Sequence, residues 1–231
     1  MNRSEFVEAV TPLFLKHGYR SLNIDQISKE LNLSKKTIYT LFPGKKSIIS
    51  SVLNQRDRIL LETASNVLQN SSNAIEAYVN TIIKIGEMVN FNQQLTNLQE
   101  LDKYYSELYE ENSIQLKEVI KKIMKDILQR GEQEELFDLI DIDVTCNLAS
   151  IQYLQLIMPQ TILPEFQNNR QLHWRTVVIH TSLFLRSLLN PKGYEILKSM
   201  QSNMQVNDNH SHLPNYQEFQ SLDEKLWKRD V

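Results

Sequence analysis

The sequence predicts an all-α protein. Its 231 residues include only five glycines and six prolines, and long stretches place their apolar side chains with helical period. This scarcity of turn residues argues against a sandwich or barrel of many short strands. Residues 176–185 are rich in β-branched side chains, as strands are, but the apolar pattern continues from Leu172 to Leu189, and that length favours a helix.

Charge is distributed unevenly along the chain. Residues 1–58 carry ten basic and five acidic side chains, a net charge of +5, so the remaining residues carry −8 of the total of −3. A basic N-terminal part on an acidic body indicates that the first part meets a polyanion. The single cysteine, Cys146, excludes an internal disulfide and a Cys-based metal cluster. Because no apolar leader follows Met1 and no apolar run is long enough to span a bilayer, we expect a cytoplasmic protein without a membrane partner.

The first predicted helix covers about residues 4–17. Ser4 is expected to cap it, and Pro12 should remove one backbone hydrogen bond and kink it. Gly18 then ends the helix, as glycine does where the chain turns left-handed. The inward stripe of this helix consists of Phe6, Val10, Leu13 and Phe14.

The next two predicted helices form a helix-turn-helix. The first runs from about Ile24 to Leu31 with Asn23 as its N-cap, and Asn32, which tolerates a left-handed conformation, makes the turn. The second begins after its cap Ser34 and ends before Pro43. Ile38, Leu41 and Phe42 of this helix are expected to face the core, and Lys35, Lys36, Thr37, Tyr39 and Thr40 to face solvent.

A basic helix in this setting suits double-stranded DNA. A helix fits the major groove, and the first residues of the second helix of such a motif reach base edges. Lysines release counterions from phosphates, and hydroxyls with free backbone N–H groups fix the register on the backbone. A basic cluster alone is usually a solvated face. Here the caps, the turn and the inward stripe agree, so the sequence predicts a DNA-binding domain over residues 1–46.

A longer helical region, residues 47–200, follows the predicted DNA-binding domain, and residues 201–231 form a polar C-terminal tail with room for a short helix. Residues 129–136 are expected to form a turn. Helices are predicted at about 45–68, 74–91, 95–101, 104–130, 142–158, 171–189 and 192–200.

Residues 6–49 resemble the N-terminal domain of the tetracycline-repressor (TetR) family of bacterial transcription regulators. The matching elements are Ala9, Phe14, Gly18-Tyr19, Ile24, Ile27 and the segment LSKKTIYTLFPGK at 33–45. The resemblance implies a homodimer that reads a pseudo-palindromic operator, that represses transcription and that is released by a small-molecule effector. Because the sequence shows no metal-ligand constellation and no cofactor motif, we expect no cofactor and no metal.

The resemblance also assigns roles to individual residues. The implied DNA contacts are Asn23, Ser34, Lys35, Lys36, Thr37, Tyr39, Thr40 and Lys45. Residues 47–200 would hold the effector pocket, and the last two long helices would pair with those of the partner subunit. Candidate effector contacts are Met88, Phe91, Tyr105, Tyr109, Gln152 and Tyr153, and candidate dimer contacts are Leu148, Ile151, Val178 and Leu185.

Two alternatives remain at this point. Aromatic side chains and methionines at helical spacing are more often plain core than pocket lining. The C-terminal region could therefore be a protein-interaction or dimerisation module without an effector. An enzyme is the other alternative, but no nucleophile–base motif or phosphate loop supports it. Asp141 and Asp143 stand at the start of a predicted helix, where the macrodipole favours acids, and this explains the pair without catalysis.

Overall fold

Helices account for nearly all of the described chain. The computed structural model describes residues 1–88, 91–157 and 170–204, and within these ranges the β pairing is limited to an isolated bridge between Phe137 and Leu189. The predicted all-α class is therefore confirmed, and residues 176–185 are helical. The helices are α1 (Arg3–Ser21), α2 (Ile24–Glu30), α3 (Lys35–Leu41), α4 (Lys45–Asn70), α5 (Ala74–Met88), α6 (Phe91–Tyr104), α7 (Ser106–Gln133), α8 (Ile142–Ile157), α9 (Arg170–Leu188) and α10 (Pro191–Met204).

Helix α1 starts earlier than predicted. Asn2, not Ser4, caps it: the Asn2 side chain accepts a hydrogen bond from the Glu5 backbone N–H (2.9 Å), and the Glu5 carboxylate accepts one from the Asn2 N–H (3.0 Å). The prediction was wrong because this reciprocal capping box satisfies two backbone donors at once. Gly18 leaves helical geometry with φ 81°, as predicted, although a further turn of helix follows it to Ser21.

The helix-turn-helix forms as predicted. Asn23 caps α2 through a capping box with Gln26, and Asn32 makes the turn with φ 51°. Ser34 caps α3 by accepting a hydrogen bond from the Thr37 N–H (3.0 Å). Because Ile38 is fully buried, the opposite side of α3 faces outward.

Buried apolar side chains form two clusters. The first joins α1–α3 and the beginning of α4 to α6 and α7, with Phe14, Ile38 and Leu101 fully buried. The second joins α4, α5 and α7–α10 around Tyr78. The long helix α4 contributes to both clusters. A domain boundary at residue 46 therefore remains a prediction that this packing does not settle.

The predicted turn at 129–136 is mostly helix, because α7 continues to Gln133. Gly131 lets the ring of Phe137 pack closely against this last turn, since an added Cβ there would lie 2.1 Å from that ring. Arg130 fixes the last turn of α7 by donating a hydrogen bond to the Ser71 carbonyl (2.9 Å). Helix α8 begins as predicted with an acidic cap, because Asp141 accepts a hydrogen bond from the Val144 N–H (2.9 Å).

None of the helices in the described ranges combines the length and the hydropathy that a bilayer crossing requires. The tail was predicted to begin at residue 201, but α10 continues to Met204. The remainder of the predicted tail, residues 205–231, lies outside the described residues.

Candidate nucleic-acid interface and effector cavity

Helix α3 presents a polar outer surface, which consists of Lys35, Lys36, Thr37, Tyr39 and Thr40, all exposed. Tyr39 is 54% exposed, which is high for a large aromatic side chain and leaves its ring and hydroxyl accessible. The hydroxyls of Ser34 and Thr37 lie 2.8 Å apart at the start of the helix. The structure thus brings six of the eight predicted DNA contacts together on one short helix and its cap.

Two of the predicted DNA contacts have partners within the protein. Lys35 Nζ lies 2.5 Å from Asp25 Oδ1, and the hydrogen bond to this carboxylate raises the pKa of the lysine. Both side chains are exposed, so the pair adds little stability. Lys45 Nζ donates a hydrogen bond to the Arg20 carbonyl (2.9 Å) and lies 5.8 Å from the ring centroid of Tyr105. Lys45 therefore links α4 to the end of α1 in this state.

The end of α1 is held by residues far along the chain. Arg20 N–H donates to the Glu100 carboxylate (2.9 Å), and the Arg20 guanidinium donates to the Tyr104 hydroxyl (2.6 Å). Asn97 donates to the Phe14 carbonyl (3.4 Å). Helix α6 is thus bound to α1 at three points, which connects the helix-turn-helix to the rest of the molecule.

A cavity of about 280 Å³ lies where α1 meets the C-terminal helices. Helix α1 supplies Thr11, Leu15 and Tyr19 to its wall. The other described lining residues come from α4–α9: Val52, Leu53, Gln55, Arg56, Ile59, Leu60, Ile82, Ile85, Gly86, Met88, Asn97, Leu98, Leu116, Tyr153, Leu156, His173 and Val177.

Comparison with protein-family models identifies the N-terminal region. Residues 7–52 match the family model described as bacterial regulatory proteins, tetR family. This match covers α1–α3 and the beginning of α4, the elements that carry the exposed basic surface. Residues 7–52 are therefore similar to the N-terminal domain of the TetR family.

A curated protein is similar to part of this chain. The uncharacterized HTH-type transcriptional regulator YuxN of Bacillus subtilis (strain 168) is 25% identical over 136 residues, which is 59% of this chain and 44% of that protein. The matched region thus spans less than half the length of that curated relative.

Two solved structures share the fold. A TetR/AcrR-family regulator from Thermobifida fusca is 20% identical, with a TM-score of 0.55 over 79% of this chain and 96% of that one. SmeT, the repressor of the multidrug efflux pump SmeDEF of Stenotrophomonas maltophilia, is 11% identical, with a TM-score of 0.60 over 83% and 92%. The similarity to these structures concerns the all-α fold, and the match to the family model identifies residues 7–52 as a helix-turn-helix domain of the DNA-binding type.

Two of the six predicted effector contacts, Met88 and Tyr153, line the cavity. Tyr109 is buried in the first apolar cluster, and the Tyr105 hydroxyl donates to the Tyr19 carbonyl (3.4 Å). The Gln152 amide oxygen lies 3.1 Å from the His180 ring. These three side chains are therefore occupied elsewhere, and the side chain of Phe91 lies outside the described residues.

The hydroxyl of Tyr153 is part of a buried hydrogen-bond chain. It lies 2.5 Å from the Tyr78 hydroxyl and donates to the Thr181 hydroxyl (3.2 Å). Burial raises the pKa of Tyr153 to about 12. The phenol therefore stays protonated at neutral pH, and it joins α5, α8 and α9 behind the cavity wall.

Sequence reasoning missed most of the polar residues that line the cavity: Thr11, Tyr19, Gln55, Arg56, Asn97 and His173. Tyr19 and the α1 residues were read only as part of the DNA-binding domain. The sequence around Arg56 and Asp57 is polar and gives no sign that Asp57 is only 7% exposed. The remaining residues meet only through contacts between distant parts of the chain.

The four predicted dimer contacts divide into two pairs. Leu148 and Ile151 on α8 are 53% and 42% exposed, so they are available to a partner. Val178 and Leu185 on α9 are buried in the second cluster within the subunit, so they do not contribute exposed surface. The apolar surface of α9 that faces outward includes Leu183, which is 52% exposed.

Proposed function

We propose that this chain is a homodimeric repressor of the TetR family that binds a pseudo-palindromic operator and is released when a small molecule enters the cavity beside α1. The observation that carries the proposal is the composition of the cavity wall. Thr11, Leu15 and Tyr19 come from α1, which packs with the recognition helix α3 in the proposed DNA-binding domain. The rest of the lining comes from α4–α9. An occupant would therefore contact both parts of the molecule directly.

The contacts of α6 suggest how occupancy would reach the DNA. Asn97 and Leu98 line the cavity, and Glu100, about one turn further along α6, holds the Arg20 N–H at the end of α1. A ligand that shifts α6 would move the end of α1 and with it the helix-turn-helix. Since coupling between two binding sites is reciprocal, operator DNA would weaken effector binding by the same factor.

Dimerisation is proposed through α8 and α9. Val144, Leu148 and Ile151 are spaced at helical intervals along α8, and each is more than 40% exposed. Contiguous exposed apolar side chains of this kind mark interaction surfaces. In a twofold dimer the two copies of α3 would read two half-sites, which in dimeric helix-turn-helix proteins lie about one helical turn apart. Repression is proposed because the family that residues 6–49 resemble is named after a repressor. SmeT, which shares the fold, is also a repressor.

The experiment is a selection of bound fragments from random-sequence DNA at two salt concentrations. We expect an enriched pseudo-palindrome, because the two identical DNA-binding domains of a dimer read the same half-site in opposite orientations. Lys36, which is exposed on α3, should contact DNA, so Lys36→Ala should change the enriched sequence or weaken binding with a shallower salt dependence.

Lys122→Ala is the matched control, because Lys122 is exposed on α7 in an ion pair with Asp126, away from α3. This variant should enrich the same sequence with the same salt dependence as the unmodified protein. Failure of the unmodified protein to enrich any sequence at either salt concentration would contradict the proposal.

A further inference from the structure

We infer that the cavity accepts an uncharged, mainly apolar molecule of about the size of two fused aromatic rings, and discriminates against carboxylates and ammonium ions. This inference rests on the proposed function and deepens it by naming the chemical class of the effector. The volume of about 280 Å³ is roughly twice that of an apolar cavity that binds benzene.

The permanent charge among the described lining residues belongs to Arg56, and it is already neutralised. Arg56 Nε and Nη2 lie 2.9 Å and 2.5 Å from Asp57 Oδ1, and Nη1 lies 3.5 Å from the Asn112 amide oxygen. Asp57 is 7% exposed, so its carboxylate has little water to replace the guanidinium. A ligand carboxylate would have to displace this partner and leave a buried anion unpaired, which is strongly unfavourable.

The titratable neighbours in the wall are neutral at physiological pH. Burial raises the pKa of both Tyr19 and Tyr153, which keeps the two phenols protonated. Burial lowers the pKa of His173, which keeps the imidazole uncharged. A cationic ligand would therefore find no carboxylate among the described lining residues, and a charge transferred from water without a partner costs far more than a neutral polar group.

Several polar atoms of the wall already have hydrogen-bond partners within the protein. Thr11 Oγ1 donates to the Val7 carbonyl (2.7 Å), and Asn97 donates to the Phe14 carbonyl (3.4 Å). His173 Nε2 lies 2.7 Å from the Leu156 carbonyl oxygen. The surface that remains for a ligand is mainly aliphatic, and it gains most from the burial of apolar area.

The test uses the full-length protein and three probes that share one naphthalene ring system: 2-naphthalenemethanol, 2-naphthoate and 2-naphthylmethylammonium. Isothermal titration calorimetry at pH 7 should show that the alcohol binds at least about tenfold more tightly than either ion. Equal or tighter binding of an ion would overturn the inference. Absence of binding by all three probes would overturn it as well, while the DNA selection would still report separately on DNA recognition.

Two variants sharpen this test. Asp57→Asn removes the charge that neutralises Arg56 and keeps the side-chain shape, so it should shift the preference toward 2-naphthoate by at least about tenfold. An unchanged preference in the folded variant would contradict the role given to the ion pair.

Ile59→Trp places a large ring in the cavity from a position that is 37% exposed, so it should abolish binding of the alcohol without disturbing the core. Ile114→Trp is the control, because Ile114 is 68% exposed on α7 and is not a lining residue. Equal alcohol binding by the two tryptophan variants would place the site elsewhere and overturn the inference.

Discussion

Gly18 shows how one residue links the DNA-binding module to the rest of the chain. Its φ of 81° lies in the region that disfavours other residues, and an added Cβ would stand 2.4 Å from the Glu100 carboxylate. Gly18→Ala should therefore lower the free energy of unfolding by more than about 1 kcal/mol, through backbone strain and displacement of Glu100 from Arg20. Urea denaturation followed by circular dichroism measures this difference.

Gly44→Ala is the matched control for Gly18→Ala. Gly44 has an extended backbone with φ 171°, and no atom lies within 4 Å of a Cβ added there. The control should unfold at nearly the same urea concentration as the unmodified protein. Equal stability of the two alanine variants would contradict the conformational role of Gly18.

At the residue scale, interactions within a few positions were predictable and distant ones were not. The caps Asn23 and Ser34 and the turn at Asn32 follow from local rules, and each forms as predicted. Arg20 and Glu100 are eighty positions apart, and no local sequence pattern around either residue predicts their contact. Val178 and Leu185 illustrate a different limit, since an apolar pattern around a whole helix does not distinguish core from dimer interface.

At the element scale, the helices were predicted well and their terminal turns less well. The turn expected at 129–136 is mostly helix, because Gly131 is required by the ring of Phe137 rather than by a helix end. Glycine at this position is required by a tertiary contact with Phe137, and it does not mark the helix end at which glycine is usually found. Tyr105 and Tyr109, two of the six effector candidates, pack toward the DNA-binding helices through tertiary contacts of the same kind.

The contact among α5, α8 and α9 yields a prediction at this scale. Tyr153→Phe removes the hydroxyl that lies between those of Tyr78 and Thr181, and it leaves Tyr78 with only a long contact (3.5 Å) to the Thr181 carbonyl. Because a buried hydroxyl then loses its main partner, the free energy of unfolding should fall by about 1–3 kcal/mol. Chemical denaturation of the purified variant measures the loss.

Tyr39→Phe is the control for Tyr153→Phe. It removes the same atom from a side chain that is 54% exposed, where water replaces the lost hydrogen bonds. Its stability should stay within about 0.5 kcal/mol of that of the unmodified protein. A Tyr153→Phe variant as stable as this control would show that the buried chain contributes nothing to the packing of the three helices.

At the scale of the whole molecule, the proposed function requires two subunits. Leu148→Asp places a carboxylate at the centre of the exposed apolar surface of α8, on a side chain that is 53% exposed in the subunit. The subunit should fold normally, because this position is outside the described core. A twofold interface would contain the substituted position twice, so each dimer would bury two new charges. Sedimentation velocity should show a shift from dimer to monomer at micromolar concentration.

The same substitution should also weaken operator binding. A monomer reads one half-site instead of two, so the binding free energy of the second DNA-binding domain is lost. We expect the affinity for the selected pseudo-palindrome to fall by at least about tenfold, while the affinity for an isolated half-site stays the same. Ile114→Asp introduces the same charge on a side chain that is 68% exposed on α7, and it should leave both the dimer and the DNA affinity intact. A Leu148→Asp protein that still sediments as a dimer would place the interface on another surface, and the arrangement of the two recognition helices would then have to follow from that surface.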